Sequence, residues 1–114
     1  MKIPPDAIIP NDKLINYLLA LKARNDKSKF LAIGGFTHAN ADALREAIRL
    51  LADHAEAIGD RTDEYGTFYR VEGGIMGVNG VRLLVVTIWL KRQIDGKFQF
   101  VTLKPLGREV RNDI

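Results

Sequence analysis

The sequence predicts an α+β domain in which two to three N-terminal helices pack on one face of a three- to four-stranded antiparallel meander sheet. The N-terminal half carries apolar residues at helical spacing, as in Leu44, Ile48 and Leu51. The C-terminal half is instead rich in β-branched and aromatic residues, above all over residues 82–92. Because the helical patterns precede the strand patterns without alternating with them, a doubly wound parallel sheet is not expected.

Length and composition predict one domain in a reducing compartment. The chain has 114 residues, which favours a single domain over 1–114 with an ordered core at about 3–105 and a flexible tail at 107–114. It contains no cysteine, which excludes disulfides, thiolate zinc sites and cysteine nucleophiles. No apolar run is long enough for a membrane span or a signal peptide core, so we expect a cytoplasmic protein without membrane contact.

The charge of the chain is unevenly distributed. The net charge is +3, and residues 82–114 hold seven basic and three acidic side chains. The basic surplus therefore lies on the predicted sheet and tail. Such a surplus favours an anionic partner such as RNA.

Three helices are predicted in the N-terminal half. Their predicted bounds are Asn11 or Asp12 to about Lys22, Lys27 to Ile33, and Asn40 to Ile58. Glycines at 34–35 and 59 would end the second and third helices. A charged loop over residues 60–64 is then expected to lead to the first strand, which starts at about Gly66.

Two turn signals predict the register of the sheet. Asn79-Gly80 and Asp95-Gly96 each favour a two-residue type I′ turn, which makes residues 82–92 the central strand. In this register one face is nearly all apolar and is expected to be buried against the helices: Tyr69, Val71, Val86, Ile88, Leu90, Val101 and Leu103. The opposite face combines aromatic with charged residues: Phe68, Arg70, Glu72, Thr87, Trp89, Lys91, Phe98, Phe100, Thr102 and Lys104.

The second face contains the candidate site. Its predicted cross-strand rows are Arg70, Trp89 and Thr102, followed by Glu72, Thr87 and Lys104. Arg and Lys can hold a phosphate, Trp can stack on a base, and Glu can take the proton of a ribose 2′-OH. The predicted catalytic residues are Glu72, Tyr65 and Arg70. The predicted nucleic-acid-binding residues are Lys29, Arg70, Thr87, Trp89, Thr102 and Lys104.

The same aromatic residues allow a different interpretation. Trp89, Phe98 and Phe100 could form a second small core, or an interface of a non-catalytic protein-interaction module. Such a module would be a toxin partner, an immunity-like protein or an oligomeric subunit. Concentration-dependent sizing, together with the absence of RNA binding at low salt, would favour this module over an RNA-binding domain. The two histidines, His38 and His54, have no carboxylate pair at ligand spacing, so neither a metal nor a cofactor is expected.

Three clusters of residues carry a resemblance to a known family. They are Pro5-Asp6-Ala7-Ile8-Ile9-Pro10 with Lys13-Leu14 and Tyr17-Leu18-Leu19; Asp26-Lys27-Ser28-Lys29-Phe30 with Gly35-Phe36; and Tyr65-Gly66 with Gly80, Thr87, Trp89 and residues 102–105. Over about residues 3–105 the chain resembles the bacterial proteins known as domain of unknown function 6883. That resemblance implies no activity, because the family is uncharacterised.

A broader resemblance is one of architecture. Helices followed by a small antiparallel sheet, with a Lys-x-Lys-Phe segment before a glycine, are similar to the layout of metal-independent ribonuclease toxins of the barnase, colicin and RelE kind. This resemblance implies RNA cleavage by basic and hydroxyl side chains, and a cognate antitoxin as partner. The chain departs from several such toxins because it has no histidine within residues 27–29.

Overall fold

The structure is a computed structural model that describes residues 1–19 and 27–108. A π-helical segment spans Lys13–Leu18, α1 spans Lys27–Ile33, a 3-10 turn spans His38–Asn40 and α2 spans Ala41–His54. The strands are β1 (Ile58–Asp63), β2 (Gly66–Met76), β3 (Arg82–Arg92) and β4 (Phe98–Arg108). The sheet has the order β1-β2-β3-β4 with every pair antiparallel, which confirms the predicted α+β meander.

The first helical segment is wound more widely than an α-helix. The Leu19 N–H donates to the Leu14 carbonyl oxygen at 2.8 Å, a bond that spans five residues. Leu14 and Leu18 are fully buried, so the apolar stripe faces the core as predicted. The predicted end of this helix near Lys22 lies outside the described residues.

The helix α1 has the predicted bounds, and Gly35 follows it with φ of +81°, the left-handed conformation that glycine adopts without strain. The helix α2 ends earlier than predicted. Ala55 is already extended, and Ile58 begins β1. Most of the charged stretch at residues 60–64, which was predicted to be a loop, therefore belongs to the edge strand β1. Nearly every residue of β1 is exposed, so its sequence shows no apolar alternation.

The turn between β2 and β3 has three residues rather than two. The Gly77 N–H donates to the Val81 carbonyl oxygen at 2.8 Å, which leaves residues 78–80 as the loop. Gly80 has φ of +84°, as expected for the left-handed third residue of such a loop. The extra residue pairs Glu72 with Val86 instead of Thr87. Because a one-residue shift exchanges the faces of a strand, the predicted facing of β3 relative to β2 was wrong.

The turn between β3 and β4 also differs from the prediction. The Arg92 N–H donates to the Lys97 carbonyl oxygen at 2.8 Å, so the loop comprises residues 93–96. Trp89 then pairs with Phe100, but Ile88 pairs with Thr102, which leaves Val101 as an extra residue in β4. This β-bulge changes the register by one residue halfway along the strand.

The helix-facing side of the sheet forms one core with the helices. Its buried sheet residues are Val71, Ile75, Leu83, Val85, Thr87, Trp89, Phe98, Phe100 and Leu103. Val86, Ile88 and Leu90, which were predicted to face the helices, lie on the opposite side because of the three-residue loop. Among the described residues, no helix is long and apolar enough to cross a lipid bilayer.

Candidate nucleic-acid interface

The side of the sheet opposite α2, called the outer face below, carries two cross-strand rows. Arg70 pairs with Ile88, which pairs with Thr102; Glu72 pairs with Val86, which pairs with Lys104. Strands lie about 4.8 Å apart, so the two ends of a row are separated by about 10 Å. Paired residues lie on the same face of an antiparallel sheet. The outer face therefore joins two cations, a carboxylate and a hydroxyl around an apolar centre.

The predicted rows that join β2 to β4 are correct at the site, although the register of β3 was predicted wrongly. Arg70 still shares a row with Thr102, and Glu72 still shares a row with Lys104. Each hairpin differs from its predicted register by one residue at these rows, and the two differences cancel between β2 and β4. The central strand alone is displaced, so that aliphatic residues replace the predicted Trp89 and Thr87.

Trp89 and Thr87 are core residues, which corrects their prediction as nucleic-acid contacts. Both side chains have 0% exposure. The Trp89 Nε1–H donates to Thr87 Oγ1 at 2.9 Å, and the Thr87 hydroxyl donates to the Val71 carbonyl oxygen at 3.0 Å. The indole also packs edge-to-face on Phe100 with 5.4 Å between ring centroids. A side chain without accessible surface cannot stack on a base.

Arg70 and Glu72 are neighbours on the exposed side of β2. Arg70 Nε lies 3.5 Å from Glu72 Oε1, and the two side chains are 44% and 51% exposed. An ion pair this exposed contributes little to stability and is screened by salt. Both groups therefore remain accessible to a ligand on the outer face.

Lys27, rather than Lys29, contacts a predicted site residue. Lys27 Nζ donates to Thr102 Oγ1 at 2.9 Å and lies 5.2 Å from the centroid of the Tyr17 ring. Lys13 Nζ lies 5.6 Å from the same ring. Lys29 is exposed on α1. Residues two apart on a helix point in nearly opposite directions, so these two lysines do not share one contact surface.

Four residues lie together at the edge of β4 and are called the β4-edge cluster: Lys13, Tyr17, Lys27 and Thr102. Only part of this cluster was predicted from the sequence. Thr102 was predicted as a site residue, whereas Lys13 and Tyr17 were noted only in the resemblance. Their four-residue spacing places them on one side of a helix and is the signal that could have indicated the cluster. Through Thr102 the cluster is continuous with the Arg70 row of the outer face.

Tyr65 lies at the opposite end of β2 from the predicted base. It is 66% exposed in the turn between β1 and β2. Glu72 follows seven residues later, which is about 23 Å along an extended strand. Tyr65 instead borders a groove of about 470 Å³ with Leu90 and Ile94. The structure therefore does not bring Tyr65 and Glu72 into one site.

The outer face carries the aromatic residue Phe68 of β2. Phe68 pairs with Leu90 of β3 and with Arg61 of β1, and the Arg61 guanidinium carbon lies 4.3 Å from the centroid of its ring. Sequence reasoning missed Arg61 because β1 was predicted to be a loop. Arginine and phenylalanine are both groups that stack on nucleic acid bases.

A lowered pKa is found near the N-terminus, away from the outer face. The Met1 amino group donates to Glu56 Oε2 at 2.7 Å, and this hydrogen bond with its charge lowers the pKa of the Glu56 carboxyl. Within residues 1–19 and 27–108 no group of three His, Cys, Asp or Glu side chains stands close enough together to hold a metal ion.

Comparison with known proteins identifies a family and a shared fold. Residues 4–107 match the family model described as domain of unknown function (DUF6883). No curated protein matches the chain significantly. A chain of the contact-dependent growth inhibition toxin–immunity protein complex from Klebsiella pneumoniae 342 is similar in structure, with a TM-score of 0.65 and 21% identity. The similarity covers 87% of this chain and 99% of that chain, and it establishes a common fold.

Proposed function

This chain belongs to the family of domain of unknown function 6883, and we propose that it is a ribonuclease-like or RNA-binding domain of the toxin type that acts in the cytoplasm. The observation that carries the proposal is the pair of rows on the outer face. They place Arg70 and Lys104 on either side of an apolar strip, with Glu72 beside Arg70. The similar fold in a chain of a growth inhibition toxin–immunity protein complex supports a toxin-related role.

RNA would bind along the outer face with its backbone near the basic side chains. Arg70 and Lys104 would hold phosphates, and Lys27 and Lys29 would extend the basic surface past the edge of β4. The last third of the chain carries the basic surplus, and phosphate contacts of this kind supply most of the affinity in sequence-independent binding. Phe68 takes the stacking role that the sequence predicted for Trp89.

The cleavage step would use the ribose as nucleophile. Glu72 accepts the proton of a 2′-OH while the 2′-oxygen attacks the adjacent phosphorus and the bond from phosphorus to the 5′-oxygen breaks. The Lys104 ammonium gives a proton to the leaving 5′-oxygen. Arg70 stabilises the negative charge that develops on the phosphate. The products are a 2′,3′-cyclic phosphate and a free 5′-hydroxyl.

The proposal is tested by induced expression in bacteria of the wild-type chain and Arg70→Ala, with total RNA examined for cleavage in the presence of EDTA. We expect cleavage by the wild type and loss of cleavage in Arg70→Ala. The matched control is Lys97→Ala, which removes one charge from the β3–β4 turn, at the far end of β4 from Lys104, and should cleave like the wild type. Intact RNA with the wild type contradicts the enzymatic part. Absence of salt-sensitive RNA binding contradicts the binding part as well.

A second candidate function rests on the apolar centre of the outer face. Leu84, Val86, Ile88 and Leu90 form a continuous aliphatic strip along β3, and apolar strips rimmed by charge are typical of protein interfaces. The chain would then be an immunity-like protein, a toxin partner or an oligomeric subunit. Phe98 and Phe100, which the sequence suggested for this interface, are buried in the core. Association in concentration-dependent sizing, without RNA binding at low salt, favours this function.

A further inference from the structure

Tyr65 borders a groove at the end of the outer face, and its ring has no role in the proposed cleavage. The groove has a volume of about 470 Å³, which is within the range of small-molecule sites. Leu90 lines it from β3, and Tyr65 and Ile94 line it from the two adjoining loops. The side chains of Tyr65 and Ile94 are 66% and 83% exposed, so both are accessible to a ligand.

Two hydrogen bonds hold the backbone of Tyr65 in place. Its N–H donates to Asp63 Oδ1 at 2.9 Å, and its carbonyl oxygen accepts the N–H of Gln93 at 2.9 Å. The second bond joins the β1–β2 turn to the β3–β4 loop, which also carries Ile94. The two sides of the groove are thus held together before any ligand binds, and a preformed site loses less entropy on binding.

The groove continues the outer face. A third cross-strand row, formed by Phe68, Leu90 and Gln99, follows the rows of Glu72 and Arg70. Leu90 and Gln99 also line the groove. The third row lies about 7 Å from the row of Arg70, because the two rows are two residues apart on β2. A nucleotide next to one whose phosphate is held at Arg70 can therefore reach the groove.

The charges around the groove favour an uncharged group over a phosphate. The charged residues that line it are Glu64 and Arg92. Arg92 is paired with Asp95, with 3.5 Å between Nη2 and Oδ2, whereas the Glu64 carboxylate repels a phosphate. Gln93 and Gln99 add side-chain amides, which donate and accept hydrogen bonds. Aromatic and aliphatic surface together with amides is suited to a nucleobase, which stacks by its face and forms hydrogen bonds by its edge.

We propose that this groove holds one unpaired base of the RNA and that the Tyr65 ring stacks on it. The inference rests on the proposed RNA contact and narrows the ligand to single-stranded RNA, because a base in a duplex has to leave its stack to enter the groove. Phe68 and Tyr65 then receive consecutive bases. Phosphate contacts at Arg70 and Lys104 bind any RNA backbone, whereas the groove makes binding depend on the presence of a base.

NMR titration of the whole chain with two oligonucleotides at low salt tests the proposal. One is a hexamer of 2′-O-methyladenosine, in which the missing 2′-hydroxyl prevents the proposed cleavage. The other has the same sugars and phosphates but no bases. We expect both oligomers to shift the methyl signals of Val86 and Ile88, because both supply phosphates to Arg70 and Lys104. Only the adenosine oligomer should shift the methyl signals of Ile94.

The outcomes separate the groove from the contact on the outer face. If the adenosine oligomer shifts the signals of Val86 and Ile88 but not those of Ile94, the groove proposal is overturned and the RNA contact stands. If neither set shifts with either oligomer, both are overturned. Ile94 shifts of equal size with the oligomer without bases, or with the adenosine oligomer paired to its complement, contradict the binding of an unpaired base. Ile94 shifts that follow protein concentration without RNA assign the groove to a second copy of this chain and also overturn the proposal.

Two substitutions of Tyr65 test the stacking itself. Tyr65→Ala and Tyr65→Phe both keep the two backbone bonds, and a side chain this exposed contributes little to stability, so both variants should fold. In fluorescence anisotropy, Tyr65→Ala should bind the adenosine oligomer about fivefold more weakly or worse, because the ring is lost, whereas Tyr65→Phe should stay within about twofold of the wild type. Both should bind the oligomer without bases like the wild type. Equal binding of the adenosine oligomer by Tyr65→Ala and the wild type contradicts the proposal, as does an equal loss with the oligomer without bases.

Discussion

At the scale of single residues, the structure gives Trp89 a structural role in place of the predicted functional one. Its indole N–H is buried and is satisfied by Thr87, which in turn bonds to the backbone of Val71. A tryptophan between charged residues on a predicted sheet face is compatible with either role. The indole is buried because the loop between β2 and β3 has three residues instead of two. The residues around Trp89 do not indicate the length of that loop.

The Thr87 hydroxyl can be tested by two conservative substitutions. Thr87→Val preserves the shape but leaves the Trp89 N–H without a partner in the core, at a cost of about 1–3 kcal/mol in the free energy of unfolding. Thr87→Ser keeps the hydroxyl and should cost less. Urea denaturation measures both variants. Equal stability of the valine variant and the wild type would show that the buried bond contributes nothing.

Substitution of Arg70, unlike that of Thr87, should leave stability nearly unchanged. Its side chain is 44% exposed and its ion pair with Glu72 is solvated, so Arg70→Ala should change the free energy of unfolding by less than about 0.5 kcal/mol. RNA binding or cleavage should nevertheless fall. Thermal denaturation and an RNA-binding measurement on the same preparation test both expectations. A large loss of stability would show that Arg70 acts in folding, not in binding.

At the scale of elements, the helix α1, the order of the strands and the central position of β3 could be predicted from the sequence. Periodicity and turn residues determine these features locally. The lengths of the two hairpin loops and the bulge at Val101 could not be predicted, because several loops are compatible with Asn79-Gly80 and Asp95-Gly96. The strand β1 was missed since an exposed edge strand has no apolar alternation.

The errors in loop length and register changed which residues were assigned to the outer face. In the two rows of the site, residues of β2 and β4 were placed correctly together because two register differences cancel. Residues of β3 were assigned to the wrong face, and so were Phe98 and Phe100 of β4, which lie beyond the bulge. Arg70, Glu72, Thr102 and Lys104 could therefore be predicted as one group. The contact between Lys27 and Thr102 depends on how α1 packs against β4, and sequence spacing alone does not specify it.

Gly66, the first residue of β2, offers a test of the close approach between β2 and β3. Gly66 has φ of +141°, and a Cβ there would lie 2.0 Å from the Lys91 carbonyl oxygen. Gly66→Ala should therefore destabilise the fold by about 3 kcal/mol or more. Gly80→Ala is the matched control, because its φ of +84° carries strain but no atom lies within 4 Å of the added carbon; it should cost about 1 kcal/mol. Similar thermal midpoints for the two variants would contradict the described approach of Gly66 to the backbone of Lys91.

At the scale of the whole molecule, the two sides of the sheet have separate roles. One side forms the core with the helices, and the other carries the rows of Arg70 and Glu72, where we propose that RNA binds. This division leaves the outer face free to vary in charge without loss of the fold.

The proposed RNA contact predicts a defined salt dependence. If Arg70 and Lys104 each neutralise one phosphate of a single strand, removing both should reduce the slope of log affinity against log salt concentration by about 1.4. Fluorescence anisotropy with a labelled single-stranded RNA measures the slope for the wild type and for Arg70→Ala/Lys104→Ala. Lys97→Ala serves as the control and should leave the slope unchanged. Equal slopes for the wild type and the double variant would exclude these two side chains as phosphate contacts.

The central claim, that RNA contacts the outer face of the sheet, is tested most directly by following methyl resonances of β3 by NMR during titration with a short single-stranded RNA at low salt. Adjacent residues of this strand lie on opposite faces. We predict that the methyl signals of Val86 and Ile88 shift with increasing RNA while those of Leu83 and Val85 stay in place. Shifts confined to other surfaces of the protein, or no shifts at saturating RNA, would contradict the claim.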